Sequence, residues 1–259
     1  MRIAAPSIFA DEPHHTRTEK YKWLPTVDVM RMLYKEGFRP MEVQQSKTRI
    51  ADKREYTKHL VKMRHVSNTE KLRNVGDVVP EILLRNSHDG TSSWELMSGI
   101  FRLVCTNGLV VTDGNATRAT VPHRGDATAD KVIEASYTVM EETIKRIDWV
   151  DRLKKIHLTY EEMVDFANEA RKLRFEDHIQ MSSPTQLLLP RRNEDRDNTL
   201  WNVFNRAQEN LIRGGLTVYN PHNRQRRRAH SREITGIDDN IRINSELWNL
   251  TIEKAKVLA

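Results

Sequence analysis

The sequence predicts an α+β fold, with an N-terminal helix, an antiparallel β-meander of about four to five strands, and a C-terminal mainly helical half. Three observations lead to this prediction. Short apolar runs occupy residues 38–111, and two strong hairpin signals, Asp89-Gly90 and Asn107-Gly108, interrupt them. After residue 125 the apolar residues recur at helical spacing. Strands are therefore followed by helices rather than alternating with them.

The chain is predicted to open with a flexible N-terminal arm over residues 1–22, because this stretch is polar and punctuated by prolines. The first helix is expected to start at Leu24-Pro25-Thr26, since proline suits the first turn of a helix. It is expected to end at Gly37. An antiparallel β-rich core is assigned to residues 23–125.

Four strands are predicted between Phe38 and residue 105, and a fifth after Asn107-Gly108. The second covers residues 57–66, the third residues 76–86, and the fourth residues 94–105. Pro80 indicates that the third strand lies at an edge or begins late. Gly99 indicates a bulge or a close approach in the fourth.

A helical region packed on the core is assigned to residues 126–259, with a basic loop at 216–232. Helices are expected over residues 129–150, after Thr159, over 199–213, and from about residue 240 to the C-terminus. Thr159 and Glu162 have the spacing of a capping box. Gly214 and Gly215 stop the third of these helices.

Composition limits the classes of function. The chain has 259 residues, 30% of them charged, and a net charge of +6. No apolar run approaches the roughly 20 residues of a membrane span. A single cysteine, Cys105, excludes an internal disulfide and fits a reducing compartment, so a cytoplasmic location is expected. No membrane partner is expected, and a basic balance favours polyanionic partners.

Catalytic motifs are absent from the sequence. It has no glycine-rich phosphate loop, no His-Glu-x-x-His helix and no Gly-x-Ser-x-Gly elbow. Cys105 is expected to be a buried structural residue. His88, Asp89 and His123 offer a weak alternative as a metal-dependent hydrolase site. We therefore predict no catalytic residue, no metal and no cofactor.

Basic residues form the strongest functional pattern. Lys58, Lys62 and Arg64 alternate on one face of the second strand, so this face is not expected to be core. The predicted nucleic-acid-binding residues are Lys58, Lys62, Arg64, Arg102, Arg224, Arg226, Arg227 and Arg228. Five aromatic residues are candidate stacking platforms if exposed, although the last two are better placed in the core: Trp23, Tyr34, Tyr56, Trp94 and Phe101.

Three sequence blocks carry a family resemblance: residues 84–90 with 99–111, residues 199–215, and residues 244–248. The chain resembles the phage- and plasmid-like proteins grouped as "domain of unknown function 932". The resemblance implies a mobile-element context and transfers no catalytic residue. The motif residues are Asn86, His88, Asp89, Gly90, Phe101, Arg102, Cys105, Asn107, Gly108, Trp201, Asn205, Gln208, Gly214 and Gly215. Most are expected to define the fold, and Asn205 and Gln208 are able to bond a partner chain or a neighbouring strand.

The leading hypothesis is a nucleic-acid-binding accessory protein of phage or plasmid replication, recombination or establishment. Its expected ligand is single-stranded DNA, with annealing activity and homo-oligomer formation by analogy with the fold of single-strand-annealing recombinases. The alternative is a protein-interaction module that inhibits a host defence system by binding a host protein.

Overall fold

A computed structural model describes residues 1–69, 77–102, 109–110, 118–124, 128–175, 179–220 and 228–258. The chain divides into two compact units, Met1–Ile147 and Asp148–Ala259. The division lies further along the chain than the predicted boundary at residue 125, inside a helix that spans Ala129–Leu153. No helix in the described part of the chain is long and apolar enough to cross a membrane.

The first unit contains an N-terminal helix, an antiparallel sheet and the start of a long helix, which confirms the predicted α+β order. Its elements are α1 (Thr26–Lys35), β1 (Phe38–Gln45), β2 (His59–His65), α2 (Val66–Thr69), β3 (Val78–Asn86), β4 (Trp94–Arg102), β5 (Leu109–Val110), β6 (Arg118–Val121) and α3 (Ala129–Leu153).

The sheet has the order β1-β2-β3-β4-β5, and β6 also pairs with β4. All pairings are antiparallel, and each of the first four strands lies beside the next one along the chain. β4 pairs with β5 at Gly99 and Ile100 and with β6 at residues 94–97. The meander from β1 to β4 is therefore as predicted, whereas β6 was not expected.

Pro80 and Gly99 show how the sheet accommodates two unusual strand residues. β3 lies between β2 and β4, so the predicted edge position of Pro80 is wrong. The alternative of a late start is correct on one side, because β2 pairs with β3 only from Ile82 onwards. At Gly99 the register with β3 continues without a bulge. A Cβ atom there would collide with the Leu83 side chain, so Gly99 is a point of close approach.

One face of the sheet forms the core of the first unit. Val61, Met63, Ile82, Leu84 and Leu96 lie on this face and are at most 3% exposed. Residues of α1 and α3 complete the same hydrophobic cluster, among them Val29, Leu33, Val132 and Val139. The core therefore fixes which side chains of each strand point towards the helices.

The N-terminal segment packs into this core instead of projecting as the predicted arm. Residues Pro6–Phe9 form a short 3-10 helix, and Ala5 and Ile8 have no exposed surface. Ser7 is also buried, and its backbone N–H and side-chain hydroxyl both donate to Oε1 of Gln45 at 2.9 Å. The two buried side chains, Ala5 and Ile8, are too few to form a periodic apolar pattern in the sequence.

The second unit is mainly helical, as predicted, and also contains a small sheet that was not expected. After the end of α3 its elements are α4 (Tyr160–Lys172), β7 (Gln180–Met181), α5 (Leu200–Arg213), β8 (Thr217–Tyr219), β9 (Arg228–His230) and α6 (Ile237–Leu258). β7, β8 and β9 pair in that order. Trp201 and Trp248 pack on either side of Phe204, with ring centroids 5.6 and 5.7 Å from it.

Helix α4 begins with the predicted capping box. The Thr159 hydroxyl accepts a hydrogen bond from the N–H of Glu162, and the Glu162 carboxylate accepts one from the N–H of Thr159 at 2.8 Å. These bonds satisfy two donors that the first helical turn leaves without partners.

Replacing Thr159 with alanine is expected to lower the free energy of unfolding by about 1 kcal/mol, because it removes the cap. Urea-induced unfolding checks the value. Thr138→Ala, at an exposed position within α3, is the matched control and is expected to be neutral or slightly stabilising. Equal losses in the two variants would contradict a capping role for Thr159.

Candidate functional site

The basic residues predicted on β2 are buried and paired with acidic residues of neighbouring strands. Lys62 is 7% exposed, and its Nζ lies 2.7 Å from a carboxylate oxygen of Glu42 on β1. Arg64 is 4% exposed and donates from Nε and Nη2 to Oε1 of Glu81 on β3, at 3.0 and 2.7 Å. The expectation that this strand face lies outside the folded core is therefore wrong.

The Arg64–Glu81 pair is buried, and burial changes the pKa of the Glu81 carboxyl. Burial raises the pKa of the Glu81 carboxyl, and the hydrogen bond from Arg64 opposes this shift. The Arg64 guanidinium also lies 4.1 Å from the centroid of the half-buried Phe101 ring. A guanidinium held by a carboxylate and an aromatic face has its donors and its charge satisfied within the protein.

Arg102 does not join Lys62 and Arg64, because it lies on the other face of the sheet. The register pairs Lys62 with Leu83 and Leu83 with Met97, so alternation places Arg102 on the opposite side. Arg102 is 6% exposed. Lys58 precedes β2 and is half-buried, with its carbonyl accepting a hydrogen bond from the N–H of Ser46. The four predicted ligand residues therefore do not form one exposed surface.

A third group of charges lies on the same face as Arg64. Glu95 on β4 forms ion pairs with both Arg85 on β3 and Arg118 on β6. Glu95 and Arg85 are directly opposite each other in the register of the two strands. Acidic partners from three different strands thus neutralise the basic residues of this face.

Several exposed basic residues of the first unit instead lie close together along the chain, in the connection between β1 and β2. Lys47, Arg49 and Arg54 are exposed and Lys53 is half-buried. Among the described residues, none of these four side chains has a carboxylate within ion-pair distance. The sequence shows these four basic residues between positions 47 and 54. The binding residues were instead predicted from the alternation of basic residues in β2.

A cleft of about 470 Å³ borders this connection. Its lining combines polar and basic residues of the connection, among them Lys47, Thr48 and Arg54, with Ile3, Ala4 and Pro6 of the N-terminal segment. Basic and apolar groups in one cleft complement a nucleotide, which presents an anionic phosphate and a flat base.

The predicted basic loop at 216–232 is described only at its two ends. Those ends form strands β8 and β9, which pair with each other. Arg228 is exposed on β9. Arg224, Arg226 and Arg227 lie outside the described residues, as do Cys105, Asn107 and Gly108 of the other predicted set.

The motif residues around His88 form a buried hydrogen-bond network. Nε2 of His59 and Nε2 of His88 lie 2.9 and 3.0 Å from the Thr26 hydroxyl oxygen. Asn86 donates to the same oxygen at 3.0 Å and faces Nε2 of His123 at 2.7 Å through its amide oxygen. None of the side chains in this network is more than 9% exposed.

Hydrogen counting fixes the protonation of two of these histidines. Thr26 supplies one donor and two acceptor sites, and Asn86 occupies one acceptor site. One of His59 and His88 must therefore donate to Thr26 through Nε2 while the other accepts from it. Nδ1 of His59 faces the Ser7 hydroxyl at 2.8 Å and the Thr57 carbonyl at 3.2 Å; because that hydroxyl already donates to Gln45, both contacts need a proton on Nδ1. His59 thus accepts at Nε2, and His88 donates.

Neutral histidines follow from this arrangement. Burial lowers the pKa of His59 to about 4 and that of His88 to about 2, and it also lowers the pKa of His123. A second proton on His88 would sit on Nδ1, which has no hydrogen-bond partner among the described residues. This network holds α1, β2 and β3 together.

The turn that follows His88 is also structural. The Asp89 carboxylate accepts hydrogen bonds from the N–H and the hydroxyl of Thr91 at 3.0 and 2.6 Å. Gly90 has a φ of 78°, and a side chain there would collide with Arg17. The predicted turn is therefore confirmed, and Asp89 caps it instead of extending towards His123.

The second motif block forms the buried helix α5. Gln208 donates to the amide oxygen of Asn244 on α6 at 2.9 Å, whereas Asn205 bonds the Trp201 carbonyl within its own helix. Gly214 ends α5 with a φ of 70°, in close contact with the Arg232 carbonyl. Gly215 follows with a φ of 77°. Gln208 thus joins α5 to α6, a helix and not the partner chain or neighbouring strand that was expected.

Exposure separates the five aromatic candidates. Trp94 has no exposed surface, as expected, and Tyr34 is 53% exposed. Trp23 is half-buried against His88, with ring centroids 4.5 Å apart. Tyr56 is half-buried against His14. Of these five, Tyr34 is the most exposed, but the Arg39 guanidinium lies over its ring at 3.7 Å from the centroid.

The fold and the hydrogen-bond network define an α+β protein of two units. The motif residues around His88 and in α5 have structural roles in it. The chain belongs to the family described as "Domain of unknown function (DUF932)", whose model matches residues 13–248. Two proteins of Escherichia coli (strain K12), UPF0380 protein YafZ and UPF0380 protein YfjQ, are each 37% identical to it over 243 residues. These alignments cover 94% of this chain and 85% of each relative. No solved structure was found to match.

Proposed function

We propose that this protein binds nucleic acid through the connection between β1 and β2, as an accessory protein of phage or plasmid replication, recombination or establishment. The observation that supports the proposal is the set of cations Lys47, Arg49, Lys53 and Arg54, which have no acidic partner among the described residues. Such cations bind phosphates by releasing counterions, and phosphate contacts carry no base specificity. The expected binding is therefore strongly salt-dependent and tolerant of sequence.

Single-stranded DNA is the ligand that we propose. The lining of the adjoining cleft combines basic residues with Ile3, Ala4 and Pro6. A phosphate suits the basic residues and an unstacked base suits the apolar ones. Bases within a duplex are stacked and cannot turn towards such an apolar wall, so a single strand fits the cleft better.

Replacing Lys47, Arg49, Lys53 and Arg54 together with glutamine is expected to abolish most of the salt dependence of single-strand binding. Four phosphate contacts correspond to a slope of about −3 in log K against log salt, or a loss of about 50-fold between 50 and 200 mM salt. Fluorescence anisotropy with single-stranded and duplex oligonucleotides measures both quantities.

The matched control removes the same charge elsewhere, at four exposed lysines that lie in helices or directly after one: Lys145, Lys154, Lys172 and Lys256. The control is expected to retain nearly all of the salt slope. Equal losses in both variants would show that net charge alone attracts the DNA. Flat, weak binding by the unmodified protein would contradict the proposal.

Protein binding is a second candidate function, which an apolar groove beside α1 favours. The groove has a volume of about 550 Å³ and is lined by Met1, Phe9, Met30, Tyr34, Arg31 and Lys35. Exposed apolar surface flanked by cations suits an apolar segment with acidic neighbours. Capture from nuclease-treated host lysate, with Tyr34→Glu as the comparison, tests it: a partner retained by both proteins does not use the groove.

A further inference from the structure

Near the N-terminus, His14 is held in a fixed position. It is 1% exposed, its backbone N–H donates to the His88 carbonyl at 3.0 Å, and its ring meets Tyr56 edge-on at 5.2 Å. Nδ1 of the ring lies 2.8 Å from the hydroxyl of Thr16. These contacts direct the remaining ring nitrogen, Nε2, towards the connection between β1 and β2.

Two further ligand groups lie beside this nitrogen. A carboxylate oxygen of Asp52 is 3.3 Å from Nε2 of His14, and the ring of His15 lies tilted by 36° at a centroid distance of 4.2 Å from the His14 ring. One ligand atom from each of the three residues lies within 4.8 Å of the other two. His15 and Asp52 are exposed, so both side chains are free to adjust.

We propose that His14, His15 and Asp52 bind a divalent transition-metal ion, zinc being the ion used to test the site. Zinc accepts imidazole nitrogen and carboxylate oxygen at about 2.0–2.2 Å, which places tetrahedral ligand atoms about 3.3 Å apart. His14 and Asp52 already have that separation, and the ligand nitrogen of His15, which lies within 4.8 Å of both, needs to move by at most about 1.5 Å. The exposed position of two ligands leaves the fourth coordination site to water.

Thr16 supplies the outer contact that such a site needs. A metal at Nε2 requires the ring proton to be on Nδ1, where the Thr16 hydroxyl accepts it. In the absence of metal, the backbone N–H of Thr16 also points at Nδ1, at 3.4 Å, and the proton is then on Nε2 facing Asp52. Metal binding therefore exchanges one tautomer of His14 for the other.

Nearby carboxylates favour a cation at this corner of the molecule. Tyr56, which contacts His14, lines a cavity of about 390 Å³ together with Asp11, Glu12 and Glu55. Arg2 also lines this cavity and offsets part of their charge. Three carboxylates against one arginine make the charge of this lining negative and so favour a cation, whereas the neighbouring Lys53 and Arg54 oppose it.

A metal at this position would tie the N-terminal segment to the connection between β1 and β2, since Asp52 belongs to that connection. The inference does not rest on the proposed function, because metal binding is measured without nucleic acid. The expected thermal effect is a rise in Tm with zinc concentration, because the ion binds the folded chain and brings together residues distant in sequence.

Titration of the full chain, stripped with a chelator, tests the site by calorimetry with zinc and by the visible absorption of bound cobalt. One ion per chain and a tetrahedral cobalt spectrum are expected. His15→Ala and Asp52→Asn each change an exposed residue and are expected to weaken zinc binding by roughly tenfold or more. His230→Ala, at an exposed histidine of β9, is expected to bind zinc as the unmodified chain does.

Two results would overturn the inference. One is the absence of stoichiometric zinc binding, with no change in Tm. The other is stoichiometric binding that His15→Ala and Asp52→Asn leave unchanged, which would place the ion elsewhere on the chain.

Discussion

Replacing Glu81 with leucine is expected to lower the free energy of unfolding by about 3–5 kcal/mol, because it leaves the Arg64 guanidinium buried without a counter-charge. An arginine cannot escape this cost by losing its proton, because the guanidinium stays charged in proteins. Urea-induced unfolding at pH 7 measures the loss. The effect is large because both side chains are less than 5% exposed.

Replacing Arg64 with methionine is expected to cost less than replacing Glu81. Burial already raises the pKa of the Glu81 carboxyl, so this group takes up a proton once its partner is removed. The cost of Arg64→Met should therefore shrink as the pH is lowered from 7 to 5. The double variant with methionine and leucine should recover most of the lost stability, because no buried charge remains.

The same variants decide whether Arg64 has a role in binding DNA. If Arg64 is structural, the double variant binds single-stranded DNA as the unmodified chain does. A stable double variant that has lost DNA binding would contradict this interpretation and restore β2 as the ligand-binding surface.

Acid is expected to destabilise the folded protein from pH 6.5 downwards, before most carboxylates titrate. An unfolded histidine has a pKa near 6.5, whereas the folded values are about 4 for His59 and about 2 for His88. Between these limits the unfolded chain binds protons that the folded chain excludes. The free energy of unfolding is therefore greatest above pH 6.5 and falls by up to about 1.4 kcal/mol per pH unit for each of the two histidines.

Urea titrations between pH 7.5 and pH 5 test this prediction. His59→Gln removes one titrating group and is expected to reduce the slope of stability against pH, although it also lowers stability at pH 7.5 by breaking the network. His157→Gln, at an exposed histidine, should leave the slope unchanged. A stability that is constant from pH 7.5 to pH 5 would show that protons reach these rings without disturbing the fold.

Local sequence patterns predicted much of the fold because the forces behind them act over a few residues. The capping box at Thr159, the turn at Gly90 and the end of α5 at Gly214 each depend on backbone geometry within one turn. The helical spacing after residue 128 likewise predicted α3. In each of these cases, neighbouring residues supply the hydrogen bonds and steric limits that decide the structure.

The candidate site was harder to predict because burial depends on partners from distant parts of the chain. Lys62 and Arg64 have the alternation of a solvated strand face, yet Glu42 and Glu81 neutralise them from adjacent strands. No local pattern in β2 indicates those partners. The cations of the connection between β1 and β2 were visible in the sequence, but their exposure was not.

The sequence by itself determined the α+β order of elements, the family and the positions of the main turns and caps, since these follow from residue spacing and short-range hydrogen bonds. Only the tertiary structure decided which charges are buried, how the N-terminal segment packs, and how His59, His88 and Asn86 meet at Thr26. The physical reason is that solvation and ion pairing are set by all the groups around a side chain, most of which lie far away along the chain.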